Sequence, residues 1–232
     1  MQSSRFPGKP LAKILGREMI LHVLDRVSSV VAKESIFVAS NSAEVLSLIH
    51  KSGYQGIETG DHPTGTDRLA EACLSIQSDY FINIQGDEPA FNPQDILSAT
   101  RFLIESNYPV ITGYCVENNF KERTDTNTIK LTFSKSKRLL YISRAPIPGS
   151  KDVQESAFYR QVCLYGYTRD ALRTFSTLQR SEFEVTEDHE LLRYLENDIS
   201  VGVLELSDWS VPVDVKSDIK LAELQLRTKF NL

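Results

Sequence analysis

The run Tyr80-Phe81-Ile82-Asn83-Ile84 leads directly into Gln85-Gly86-Asp87-Glu88-Pro89. The first five residues read as a buried strand and the next five as a turn, with a helix expected over 93–105. Strands and helices alternate on either side of this segment. Upstream, Met19, Ile20, Val23, Leu24, Val27, Val30 and Val31 recur at helical spacing and predict a helix over 17–32. Ser35 to Ala39 reads as a buried parallel strand, 42–52 as a helix stopped by Gly53, and Tyr54 to Glu58 as another strand. A helix over 66–77 carries Leu69, Ala70, Cys73 and Ile76 on one face.

Downstream the pattern becomes strand-rich. Val110 to Val116, Thr128 to Phe133, Leu139 to Ser143 and Val162 to Tyr167 read as strands, with 117–127 and Pro146 to Asp152 as loops. Helices resume over 169–178 and 186–196, followed by a strand from Ser200 to Leu206 and a helix over 216–229. The alternation predicts an α/β fold: a mostly parallel sheet with helices on both faces, plus a smaller sheet from the strand-rich middle. No repeat or linker divides the chain, so a single domain over 1–232 is expected.

Composition narrows the function classes. The 232 residues are 41% hydrophobic and 25% charged, the balance of a globular chain. The net charge of −5 argues against a general nucleic-acid binder while leaving room for a local anion pocket. No apolar run reaches the roughly 18 residues that span a bilayer, and the start of the chain has no signal-peptide core. Cys73, Cys115 and Cys163 lie far apart and suggest neither a disulfide framework nor a zinc site. A cytoplasmic protein with reduced thiols is expected.

Four segments could carry chemistry. Ser3-Ser4-Arg5-Phe6-Pro7-Gly8-Lys9-Pro10-Leu11 can offer backbone N–H groups and two cations to a polyphosphate, although the Walker spacing is missing. A solvated basic terminus is the other reading. His62-Pro63-Thr64-Gly65-Thr66-Asp67-Arg68 opens a helix whose N-terminus suits an anion or a base carbonyl, or is simply capped by a threonine. The 85–89 turn places carboxylates at the end of a strand, where open α/β sheets bind ligands and where Mg²⁺ finds oxygen donors. Alternatively, Asp87 caps the next helix. Val211-Pro212-Val213-Asp214-Val215-Lys216-Ser217-Asp218 places another aspartate between strand and helix, as a cap or as a second ligand beside Asp87.

The ordered set SSRFPGKPL (3–11), HPTGTDR (62–68), QGDEP (85–89), YISRAPIP (141–148), LYGY (164–167) and VPVD (211–214) resembles the CMP-Kdo synthetases, the 3-deoxy-manno-octulosonate cytidylyltransferases. The resemblance covers about residues 3–226. It implies a nucleotide-diphospho-sugar transferase-like α/β fold whose smaller sheet extension pairs two subunits as a homodimer. It implies transfer of CMP from CTP to the anomeric hydroxyl of 3-deoxy-D-manno-octulosonate (Kdo), releasing pyrophosphate, for lipopolysaccharide synthesis. The catalytic set would be Lys9, Asp87 and Asp214, with Asp87 and Asp214 holding Mg²⁺. Arg5, Lys9, Gly65, Thr66 and Arg68 would bind CTP. Gln85, Arg144, Gln161, Tyr165 and Glu184 would bind the sugar, Arg144 gripping its carboxylate. Ser181, Glu187, Glu190, Leu192 and Arg193 fit the family's acidic helix near the sugar.

The chain also departs from that family. The family's opening strand has no counterpart before Ser3, which leads to the expectation of a start about ten residues upstream, by usual strand and loop lengths. Gln161 replaces the family's histidine before the YGY-like strand and can hydrogen-bond but not carry a proton. His189 and Leu191 stand where the family usually has Leu and Gln, and Asn41 replaces a common aspartate. These changes keep two alternatives open: the same transfer to another 2-keto sugar acid, or a CTP-binding protein without turnover.

Overall fold

The structure, a computed structural model, describes residues 6, 8–149, 151, 157–207 and 212–230. The elements run β1 (Lys13–Ile14), β2 (Arg17–Glu18), α1 (Met19–Ser28), β3 (Phe37–Ser40), α2 (Ala43–Lys51), β4 (Gln55–Glu58), α3 (Gly65–Ala72) and β5 (Tyr80–Ile84). They continue with α4 (Gln94–Glu105), β6 (Val110–Glu117), α5 (Phe120–Thr124), β7 (Lys130–Phe133), β8 (Leu139–Ser143) and β9 (Phe158–Thr168). The last are α6 (Arg169–Thr177), α7 (Glu182–Glu187), α8 (Leu191–Leu195), β10 (Val201–Glu205) and α9 (Asp218–Phe230). The expected alternation is present. Local readings change: 17–18 belong to β2 and α1 ends at Ser28, α3 ends at Ala72, 117–127 contains the short helix α5, capped by Asn119, and 186–196 is broken into α7 and α8.

The chain packs as two compact units, each built from separated stretches. The first takes the chain up to Ile76, Ile84–Leu97 and the C-terminal stretch with α9. Its strands are the β1–β2 hairpin and the parallel pair β3–β4. Its core gathers Phe6, Ile14, Met19, Ala90, Val213, Ala222 and Leu226 from the N-terminal loop, the hairpin, α1, the 84–97 segment and α9. Burying these side chains is worth about 1.5–3 kcal/mol for each large one, so the ends of the chain are held to one another by packing.

The second unit takes Gln77–Asn83 and the chain from Ser98 to the end of β10. Its six-stranded sheet runs β10-β6-β9-β7-β8, with β5 also pairing β9. β10 and β6 are parallel, whereas β6–β9, β7–β9 and β7–β8 are antiparallel. The sheet is therefore mixed, and β7 and β8 form its smaller extension. β9 is longer than the sequence pattern suggests because β6 pairs it from Glu117↔Phe158 to Val110↔Tyr167. Gly166 sits opposite Ile111 on that ladder, and a Cβ there would lie 2.7 Å from the Ile111 side chain. Only glycine lets the two strands close there without a shift.

Candidate active site

In the first unit, Lys9 is the centre. Gly8 has φ 69°, the left-handed conformation that glycine adopts without strain, and it turns the chain into the Lys9–Leu11 turn of 3₁₀ helix. The Lys9 ammonium lies 2.5 Å from Asp87 Oδ2 and 2.9 Å from Asp214 Oδ1. Three residues from three distant segments therefore meet at one point. The Val213 N–H donates to the Asp87 carbonyl at 2.9 Å, tying the two aspartate loops together. Asp218 fixes the second loop by accepting from the N–H groups of Asp214 and Val215, each at 2.9 Å. Burial alone would lower the Lys9 pKa, but Asp87 and then Asp214 outweigh it, and the net shift is upward. The ammonium thus stays charged.

Asp87 is three-quarters buried and Asp214 about half exposed, so the pair faces solvent on one side. Two carboxylates converging on one cationic point, with an open side, fit the oxygen-donor chemistry of Mg²⁺, which takes one or two carboxylates and completes its shell with phosphate or water. No group of three or more His, Cys, Asp or Glu side chains gathers into a metal site among the described residues.

The 59–71 loop and α3 form the second cluster of this unit. Thr64 caps α3, accepting from the Asp67 N–H at 3.1 Å and donating to the Asp67 carboxylate at 2.7 Å. Arg68 donates through Nη1 to the Thr59 hydroxyl and the Gly60 carbonyl. Its Nη2 is buried and has no hydrogen-bond partner among the described residues, an unspent donor on a cation. Gly65 opens the helix and Thr66 is fully buried behind it. His62 bonds to Glu71, whose pKa is lowered first by that bond and then by the Gly60 N–H. Glu71 has no signal in the sequence beyond lying near the C-terminal end of α3. Asn41 donates to Asp61 at 2.6 Å. Gln85 lies at the end of β5 and accepts from the Glu88 N–H through its carbonyl at 3.4 Å. Arg5 lies outside the described residues.

Of the acceptor-side candidates, Gln85 belongs to the first unit, and Arg144, Gln161, Tyr165 and Glu184 belong to the second. Arg144 follows β8. Its Nε donates to the Glu187 carbonyl at 2.7 Å, Nη1 to the Thr126 carbonyl at 3.0 Å and Nη2 to the Asp188 carbonyl at 3.3 Å. Its backbone is clamped as well: the N–H donates to Glu187 Oε2 at 2.8 Å, and the carbonyl accepts from Lys130. Lys130, a residue the sequence reading passed over, is fully buried and also donates to the Asp125 and Thr128 carbonyls at 2.9 and 2.7 Å. Burial lowers its pKa. Gln161 and Tyr165 lie on β9 in one buried hydrogen-bonded set with Thr112 and His189.

Glu184 has a different environment from the other sugar candidates. It is fully buried, with Arg193 donating to both carboxylate oxygens at 2.6 and 2.7 Å and the Ser181 N–H donating at 3.2 Å. Its oxygens are committed to closing α7 onto α8.

A family model described as "Cytidylyltransferase" matches residues 1–201. The chain is 37% identical to the 3-deoxy-manno-octulosonate cytidylyltransferase of Syntrophotalea carbinolica, covering 97% of this chain and 94% of that protein. It is 32% identical to the enzyme of the same name from Escherichia coli, over 91% and 87% of the two chains. Among solved structures, a CMP:2-keto-3-deoxy-manno-octonic acid synthetase complexed with CTP superposes with a TM-score of 0.91 at 30% identity, covering 98% and 95% of the two chains. With the motifs, the fold and these relatives in agreement, the chain belongs to the cytidylyltransferase family.

Proposed function

We propose that this protein transfers CMP from CTP to the anomeric hydroxyl of 3-deoxy-D-manno-octulosonate, giving CMP-Kdo and pyrophosphate for lipopolysaccharide synthesis. The meeting of Lys9, Asp87 and Asp214 carries this reading. The sugar hydroxyl attacks the α-phosphorus, the bond to pyrophosphate breaks in line, and the hydroxyl proton passes to solvent water. Such a reaction is accelerated mainly by positioning and charge stabilisation. Lys9 supplies a permanent positive charge for the phosphates, because its pKa is held up by the two aspartates. Arg68 offers its unspent Nη2 to the nucleotide beside Gly65 and Thr66. Asp87 and Asp214 would hold Mg²⁺, which when bound supplies neutralisation of phosphate charge. Arg144 spends one N–H of each guanidinium nitrogen on the Glu187, Thr126 and Asp188 carbonyls and keeps the second N–H of Nη1 and of Nη2 for the sugar carboxylate. Gln85 and Tyr165 supply polar groups for hydroxyls, and Gln161, with both amide protons used, can add only a lone pair of Oε1.

The protein is read as cytoplasmic, which fits its three thiols outside any disulfide, and no helix among the described residues is long and apolar enough to cross a membrane. A homodimer fits the apolar surface left exposed by the cross-strand pair Val116 and Tyr159 and by Leu140 on the second unit's sheet.

Pyrophosphate release assayed with CTP, Mg²⁺ and Kdo tests the function. Release should require all three, and Asp87→Ala should lower it at least ~1000-fold, the scale on which phosphoryl-transfer charge stabilisation acts, with the far-UV spectrum unchanged. An Asp87→Ala protein with full activity overturns the metal assignment. Turnover of a different 2-keto sugar acid in place of Kdo moves the acceptor and leaves the transfer standing.

A further inference from the structure

Gln161, Tyr165, Thr112 and His189 make a directional set of hydrogen bonds inside the second unit. The Leu191 N–H donates to His189 Nδ1 at 3.4 Å. That bond places the ring proton on Nε2, which lies 2.9 Å from Gln161 Oε1 and donates to it. The Gln161 amide nitrogen must then point the other way. It lies 3.2 Å from Thr112 Oγ1 and 3.2 Å from the Tyr165 hydroxyl, so both its protons are used. Thr112 passes its own proton to the Leu164 carbonyl at 3.3 Å. The Tyr165 hydroxyl accepts one bond and donates none among the described residues.

The Leu191 N–H on Nδ1 sets the direction of the chain, and the ring is neutral. Burial, then the nearby Arg144, lowers the His189 pKa to about 3. Tyr165 is held as a neutral phenol, its pKa raised by burial first and then by Cys163, Glu190 and Tyr167. The set therefore has one free donor, the Tyr165 O–H.

We propose that His189 is a positioning residue for the sugar acceptor: it locks the Gln161 carboxamide so that Tyr165 keeps its O–H free to donate to an oxygen of the bound sugar acid. This rests on the proposed function. A glutamine has no intrinsic preference between its two amide orientations. Without His189 the carboxamide can flip, present its oxygen to Tyr165 and consume the phenol proton. The histidine at 189 thus supplies from a neighbouring segment the directional order that a ring at 161 would carry by itself.

Steady-state kinetics with CTP, Mg²⁺ and Kdo test this. His189→Leu should raise the KM for Kdo about tenfold, with kcat and the KM for CTP changed less than twofold. The exchange His189→Leu with Gln161→His, which restores a ring donor, should return the Kdo KM to within about threefold of the parent. A KM for Kdo unchanged in His189→Leu, beside an active parent, overturns the positioning role alone. So does a loss of thermal stability with both substrates' KM values rising together. If the leucine variant does not fold, ¹⁵N NMR of the parent decides: the ring proton on Nε2 at neutral pH supports the lock, and a proton on Nδ1 overturns it. A parent that releases no pyrophosphate with any sugar acid overturns the proposed function and this role with it.

Discussion

His189 shows how one residue's setting alters its chemistry. A histidine in water titrates near 6.5, but here burial and Arg144 bring it to about 3. The folded chain keeps the ring neutral while the unfolded chain charges it, so between these values the unfolded state binds more protons. The stabilisation is complete above the unfolded pKa and is lost as pH falls from about 6.5 toward 3. Moving from pH 7 to pH 5 should cost the parent about 2 kcal/mol more than His189→Gln, measured by urea unfolding at each pH. Equal pH slopes for the two proteins would show that the ring is charged in the folded state. Lys9 has the opposite arrangement: burial is outweighed by its two carboxylates and the charge is kept.

Among the elements, the α7–α8 corner carries the clearest structural role. Periodicity alone joins 186–196 into one helix. Asp188 instead takes φ 49°, and the Glu187 and Asp188 carbonyls accept from the Arg144 side chain rather than continuing a helix. Glu184 then bridges the corner, closing the start of α7 and pairing with Arg193 of α8. Removing one partner of a buried pair leaves the other charge without compensation, a loss of about 3–5 kcal/mol. Glu184→Gln should therefore destabilise the protein by about 3 kcal/mol in chemical denaturation. With the protein still folded, the KM for Kdo should change less than twofold. A large KM rise without loss of stability would support the expected role of Glu184 in binding the sugar.

At the scale of the whole molecule, the proposed site residues fall in both compact units. Lys9, Asp87, Asp214 and Arg68 belong to the first, and Arg144, Gln161 and Tyr165 to the second. The second unit also carries the exposed apolar residues Val116, Leu140 and Tyr159 on its sheet. Sedimentation equilibrium should report twice the chain mass, and Val116→Lys with Tyr159→Lys should shift it to the monomer, because charge on such a surface opposes pairing. A parent that sediments as a monomer would remove the dimer from the proposal.

Local pattern determined the alternation of strands and helices, the strand feeding QGDEP and the motif residues themselves, because helical and strand periods are written in neighbouring residues. Lys9 and Asp87 could be named as candidates from their turns. Their meeting with Asp214, 205 residues along the chain from Lys9, was decided by packing. The core of Phe6, Ile14, Met19, Ala90, Val213, Ala222 and Leu226 joins segments that no local spacing relates. The commitment of Glu184 to Arg193 and the pairing of His189 with Gln161 are likewise tertiary. A buried side chain's role follows from the partner that satisfies it, and those partners come from other elements of the fold.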